Sequence, residues 1–294
     1  MQIVLRLSRV AYVPVFFAGF VGAALAASGG GAPPAALAAL LAGAIGVSLA
    51  VERLAPYEPA WNRTHGDAAR DVAHAVVNET ATAGAVLWLP LLAAVAPGLG
   101  LRPSGRPLAV QLAVAIAIAD VGITLVHFAS HRVAWLWRLH AVHHSVDRLY
   151  GFNGLMKHPL HLALELLAGT APLVLLGMSQ RVAWLLAFAV AIQLLLQHAN
   201  ADLRIGALGR WWTVAPAHRY YHIASARDGN VNFGLFTTVC DRLLGTFRAA
   251  GAPPRAGALG IEGRPDYPRG WAAQLVEPFR RAPVGAAARA TASK

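Results

Sequence analysis

From Val10 to Val51 the chain carries no charged residue. A run of that length leaves few ways to fold, because a backbone among lipid tails must satisfy its own hydrogen bonds, and helices do so internally. Ser28-Gly29-Gly30-Gly31-Ala32-Pro33-Pro34 interrupts the run. The glycines and prolines predict a tight turn between two helices, about 10 to 27 and 35 to 51, each near the roughly 17 to 25 residues that a span needs. Composition agrees: of 294 residues 56% are hydrophobic and 13% charged, about half the usual share of charge. The net charge of +11 is spread over loops without a basic cluster or aromatic RNA motif, which argues against nucleic acid as a partner. Cys240 is the single cysteine and excludes an intramolecular disulfide framework or a CxxC site. The Arg-, Ala- and Gly-rich composition fits a bacterial genome of high GC content.

Two more hairpins follow. Thr80 to Leu101 is uncharged, a Gly/Pro-rich turn passes through Arg102 and Arg106, and Pro107 to Val126 is broken only by Asp120. Leu162 to Met178 and Val182 to Gln197, joined around Arg181, form a third pair, short enough to be tilted or only partly inserted. Arg6 and Arg9 before the first run would also suit a signal peptide, but a second span follows without a convincing cleavage site, so a retained anchor is expected. The sequence thus predicts an all-α, multi-pass membrane protein with about six membrane-embedded helices and a histidine-rich cap. With both termini cytoplasmic, 22 of 25 Lys+Arg residues fall on that side, leaving Arg102, Arg106 and Arg181 opposite, as the positive-inside rule requires. The expected location is a bacterial inner membrane with the site on its cytoplasmic face.

Ten of the twelve histidines lie between 127 and 222, all on that one face under this topology. His127 and His131 are four apart; His140, His143 and His144 form HxxHH; His158 and His161 are three apart; His198 ends a span; His218 and His222 are four apart. On a helix such spacings put imidazoles on one face, where two nitrogens converge on one borderline transition metal. Eight or more ligands exceed what one ion uses, so two metals are expected. His65 and His74 fall in a polar linker and read as solvated or headgroup-facing residues.

The carboxylates suit a supporting role. Asp120, seven before His127, shares its face and could orient an imidazole through the distal nitrogen. Asp202 follows His198 by four and Glu165 follows His161 by four; interfacial ion pairs with Arg204 or Lys157 would explain these two equally well. No ExxH pair occurs, so this is not a ferritin-like di-iron bundle. Asn230, Asn232 and the nearby glycines are expected to shape the floor of the cluster or to make ordinary turns.

Asp120, HFASHR (127 to 132), LWRLHAVHHS (136 to 145), KHPLH (157 to 161), QHAN (197 to 200), AHRYYH (217 to 222) and DGNVNFGLFTTVCDRLLGTF (228 to 247) together resemble the fatty acid hydroxylase and sterol desaturase superfamily, over about residues 50 to 280. The resemblance implies a di-iron centre that uses O2 and external electrons to hydroxylate or desaturate a C–H bond of a lipid, whether fatty acyl, sterol-like or carotenoid. By motif it implies His127, His131, His140, His143, His144, His198, His218 and His222 as ligands. One position departs from that pattern. The third box of the superfamily usually reads HxxHH, and here Tyr221 stands where the first histidine of the pair would be. Three outcomes are open: His158 or His161 replaces it, a water does, or one metal is weakly held and the redox chemistry is altered.

The chain divides into an N-terminal hairpin (1–51), a catalytic domain (52–248) and a C-terminal segment (249–294) that lies along the membrane, with Trp271 and Arg280-Arg281 at headgroup level and a disordered end. Without a fused haem domain, electrons come from a separate ferredoxin-like or haem protein docked on the arginines. Three rivals stand beside the oxygenase: a degenerate, metal-binding superfamily member, a divalent-metal transporter, and a zinc hydrolase using Glu165 as base.

Overall fold

The computed structural model describes residues 2–95, 105–249 and 258–280. The expected turn at Arg102 and the residues after Arg280 lie outside these. The described chain is helical: α1 (Gln2–Gly29), α2 (Pro34–Leu54), α3 (Ala68–Val95), α4 (Leu108–Ser130), α5 (Ala134–His144), α6 (Pro159–Leu175), α7 (Gln180–His198), and the short α8 (Ala215–Tyr221), α9 (Ala226–Gly229), α10 (Val239–Leu244) and α11 (Trp271–Val276). Pro33 precedes α2 at its N-terminus and Ser179 caps α7 through its hydroxyl, the residue types that begin helices. Among the described residues five helices are long and apolar enough to cross a membrane: α1 from Arg9, α2, α3, α4 and α7. The protein is a multi-pass membrane protein. The sixth, α6, is apolar but has only 17 residues, as its shortness in sequence suggested.

The two helices of the third hairpin differ in role. In α7, 78% of the most apolar stretch is buried inside the protein, against 17 to 33% in the other four spans. It is a central post, with α1, α2, α3 and α4 packed around it. Its uniform apolarity therefore reflects protein on all sides rather than lipid. On the other side α4 and α6 meet closely: a Cβ on Gly122 would lie 2.2 Å from the Ala168 carbonyl oxygen, so only a hydrogen fits there.

Helix α3 begins at Ala68, twelve residues before the uncharged stretch that marks it in the sequence. The extra turns carry Arg70, Asp71, His74 and Asn78, all buried. Apart from the Asn78 Oδ1, their polar groups are met by protein: Arg70 pairs with Asp71 at 2.7 Å, and Tyr150 donates to Asp71 at 2.7 Å. His74, expected in a solvated linker, is fully buried with Nδ1 3.1 Å from the Lys157 carbonyl and Nε2 2.9 Å from Gln274 Oε1. Residues 258–280 thus pack on the protein, Gln274 also donating to Ser145 at the end of α5. His65 is exposed, as expected.

Candidate metal centre

Four elements deliver the histidines to one place. His127 lies in the last turn of α4 and His131 follows as its C-cap. α5 presents His140, His143 and His144 on one face, α7 ends on His198, and α8 brings His218, Tyr221 and His222. The donor atoms form two groups. His143, His198, His218 and His222, all buried, have ligand atoms within 4.8 Å of one another, and His131, His140 and His144 do the same. Between neighbours the Nε2–Nε2 distances are 3.3 Å (His143–His198), 3.1 Å (His198–His222), 3.3 Å (His198–His218) and 3.2 Å (His131–His144). Nitrogens bound about 2.0–2.1 Å from one ion stand about this far apart.

The protonation pattern shows what these contacts are. His143 Nδ1 lies 2.9 Å from the Met156 carbonyl and His198 Nδ1 lies 3.0 Å from that of Leu194. A carbonyl only accepts, so each Nδ1–H donates and each neutral ring turns a bare Nε2 inward. Two lone pairs then face each other at 3.3 Å. Protonation would relieve them, but burial drives His140, His143, His144, His218 and His222 well below the usual imidazole range, with neighbouring histidines adding to the effect, and brings His131 down to about 4. A shared cation satisfies both lone pairs at once, and the residues fit a transition metal.

The second group has the same polarity. His127 Nδ1–H donates to the Phe233 carbonyl at 3.0 Å and His131 Nδ1–H to Asn230 Oδ1 at 2.8 Å. Their Nε2 atoms, with that of His140, surround the Tyr221 hydroxyl, 2.5 Å from His127 and 2.7 Å from His131. A phenol has one proton to give. It satisfies one of these nitrogens and leaves the others facing oxygen lone pairs, so this group too is short of positive charge. Tyr221 therefore reaches the point on which the imidazoles converge. His158 and His161 do not replace it. His158 accepts from Leu160 N as the cap of α6 and its Nε2 meets the Leu275 carbonyl. The His161 ring lies 4.4 Å from that of His140, tilted by 39°, but its Nε2–H donates to Ser130 Oγ, whose own hydroxyl hydrogen goes to the Val126 carbonyl.

The carboxylates stand apart from the two histidine groups. Asp120 touches no imidazole; it accepts from Phe236 N, Thr237 N and the Thr237 hydroxyl. Asp202 pairs with Arg9 at 3.0 Å and Arg204 at 3.9 Å, so for it the ion-pair alternative holds; Glu165 pairs with Lys157 and also stands 3.7 Å from His161 Nδ1, so at Glu165 both readings are met. Of the two asparagines, Asn230 reaches the cluster through His131 Nδ1, whereas Asn232 fills the turn role. Asn232, at φ 57°, donates to the carbonyls of Ala217 and Arg248. Sequence reasoning missed Asp241, which accepts from Phe233 N and Gly234 N, and the α7 residues Gln193 and Gln197, which both donate to the Leu235 carbonyl. Two glutamines four apart in an otherwise apolar span were the available signal.

Comparison with known proteins agrees with this arrangement. The sequence model of the fatty acid hydroxylase family matches residues 112–246, which include the seven histidines of the two groups and His127. An ornithine lipid hydroxylase, OlsE of Rhizobium tropici, is 33% identical over 241 residues, covering 78% of this chain and 71% of that protein. The chain belongs to the fatty acid hydroxylase family. No solved structure matches it. The family match begins inside α4, so the first three helices lie before it.

Proposed function

We propose that this fatty acid hydroxylase family member is a lipid hydroxylase with two irons, placed at the cytoplasmic face of a bacterial inner membrane. The observation that carries the metal is the pair His143 and His198, held by backbone carbonyls with bare Nε2 atoms 3.3 Å apart. His143, His198, His218 and His222 would hold one iron. His127, His131, His140 and His144 would hold the other, with the Tyr221 oxygen in place of the missing histidine. The irons supply dioxygen activation, by which a C–H bond, O2, two electrons and two protons become a C–OH bond and water.

The remaining chemistry belongs to the chain. The carbonyls of Phe233, Met156 and Leu194 keep the hydrogens on Nδ1 and the lone pairs inward. Trp137 and Phe233, each 5.0 Å from the His131 ring, exclude water from the second group. Beneath the histidines an apolar cleft runs between α3, α4, α6 and α7, where a lipid can enter. The hydroxylase activity of the Rhizobium relative supports a lipid substrate, and the arginine excess supports docking of an acidic ferredoxin-like or haem electron donor.

Elemental analysis of the detergent-purified chain, beside a His143→Ala/His144→Ala double variant, tests this reading. Two irons per chain, lost in the variant, with membrane lipids that gain one oxygen when the protein is expressed, are expected. A single zinc, or no retained metal, overturns it.

A further inference from the structure

Two segments that follow α7, residues 204–213 and 232–247, fold onto the spans as one layer. Thr213 N donates to the Phe236 carbonyl at 2.9 Å and Thr238 N to that of Trp211 at 3.1 Å. The Arg210 carbonyl accepts from Arg242 Nη2 and Thr238 Oγ1, each at 2.7 Å. The inner side of the layer meets residues that lie inside three spanning helices. The Phe17 ring of α1 is 5.3 Å from Trp212 and 6.1 Å from Phe236, Gln193 of α7 accepts from the Trp212 indole at 2.9 Å, and Asp120 of α4 accepts from Phe236 N and Thr237 N. Phe17 comes eight residues after Arg9, where the first span begins, and Asp120 ten before Ser130, where α4 ends. At 1.5 Å per residue these are about 12 and 15 Å along the helix axes. The layer therefore flanks the spans instead of standing above them.

Its outer side is apolar and cationic. Leu208 and Trp211 are 46% and 62% exposed, and Val239 and Leu243, four apart on α10, are 45% and 82% exposed. Arg204, Arg210 and Arg242 are exposed among them, the Arg242 guanidinium 5.0 Å over the Trp211 ring. The Arg210 side chain makes no hydrogen bond or ion pair among the described residues. Arg204 stands 3.9 Å from Asp202, which Arg9 already holds at 3.0 Å. From 203 to 244 the acidic residues are Asp228 and Asp241, and both are answered: Asp228 by Arg248 at 3.6 Å, Asp241 by the backbone of Phe233 and Gly234.

Aliphatic side chains beside tryptophan and arginine suit a lipid surface, where the indole sits at the boundary and a guanidinium meets phosphate. A soluble acidic partner would leave Leu243 and Trp211 in water whenever it departed, and a second copy would set cation against cation. The bilayer around α1 and α4 is already in place beside the layer. Three cations favour a lipid of net negative charge over a zwitterionic one.

We propose that this layer is embedded in the membrane surface, with Leu208, Val239 and Leu243 among the upper acyl carbons and Arg210, flanked by Arg204 and Arg242, on the phosphate of an anionic phospholipid. This lipid is a structural one, outside the cleft between α3, α4, α6 and α7, and its binding needs neither metal nor turnover.

A nitroxide on Leu243→Cys, in a Cys240→Ala background, reports where the layer lies in the full-length protein in nanodiscs of phosphatidylglycerol and phosphatidylcholine. Oxygen, which concentrates in hydrocarbon, is expected to relax the label more than a water-soluble nickel chelate does. The reverse order places Leu243 in water and overturns the proposal in favour of a soluble partner. Native mass spectrometry of the protein from an equimolar mixture of the two lipids reads the headgroup. The wild type is expected to retain phosphatidylglycerol over phosphatidylcholine by about threefold or more. Arg210→Gln should lower that ratio about twofold or more, and Arg210→Lys should keep it. Equal retention of the two lipids by the wild type, or an unchanged ratio in Arg210→Gln, overturns the proposal whatever the nitroxide reports.

Discussion

Asp120 governs His127 without touching it. Its carboxylate holds the backbone of Phe236 and Thr237, and three residues earlier in the same loop the Phe233 carbonyl takes the His127 Nδ1–H at 3.0 Å. Asp241 fixes the near end of that loop through Phe233 N and Gly234 N. The tautomer of a candidate ligand thus depends on two carboxylates, each acting through main chain.

Asp120→Ala is therefore expected to weaken metal retention by roughly 10- to 100-fold, the usual cost of losing a group that orients a ligand. Iron titration of the purified variant, with helix content followed by circular dichroism, checks it. Unchanged iron affinity would show that the loop holds without Asp120.

Gly154 packs directly on His198. A Cβ there would fall 2.5 Å from His198 Nδ1 and 2.6 Å from the Leu194 carbonyl oxygen. Gly154→Ala should destabilise the protein by about 1–3 kcal/mol through overpacking and displace the imidazole that links three members of the first group. A lowered melting temperature together with reduced iron content is the expected pair of readings.

For Tyr221, Phe and His substitutions separate the two parts of its role. Tyr221→Phe removes the oxygen among the second group and should lower retained iron from two toward one per chain, whereas Tyr221→His should keep two. Elemental analysis of both proteins decides the matter; two irons in the Phe variant would show that the oxygen holds no metal.

Asp67 and Arg148 make a buried, two-pronged ion pair at 2.7 and 2.8 Å. Burial pushes the Asp67 carboxyl up, but the hydrogen bonds and charge of Arg148 outweigh it and hold the group below its ordinary 3.8. A carboxyl that titrates lower when folded stabilises the fold fully above its unfolded value, and this contribution is lost as pH falls through the folded one. Asp67→Asn should cost about 3 kcal/mol at neutral pH, because Arg148 is left buried and unpaired. The difference in melting temperature from wild type should shrink below pH 3.8.

Much of the centre could be read from spacing. His127 and His131 at i, i+4, and His140, His143 and His144 at i, i+3, i+4, lie on helices and converge as helical geometry requires. What spacing could not show is carried by backbone: the Met156, Leu194 and Phe233 carbonyls that fix the tautomers have no side-chain signature. His74 and the first turns of α3 were misread for a related reason. Local sequence there is polar, and its partners lie far along the chain, at Tyr150, Lys157 and Gln274. In α7 hydropathy gave the helix but not its neighbours, since lipid and protein select the same apolar residues.

The contact between His74 and Gln274 spans 200 positions, and Gln274 also bonds Ser145 beside His144. A ribosome making this chain finishes every histidine of both groups some fifty residues before it reaches Gln274. The candidate ligands are therefore all synthesised before the tie between α3 and α5 can form. Synthesis itself gives the order: first the ligands, then the fastening.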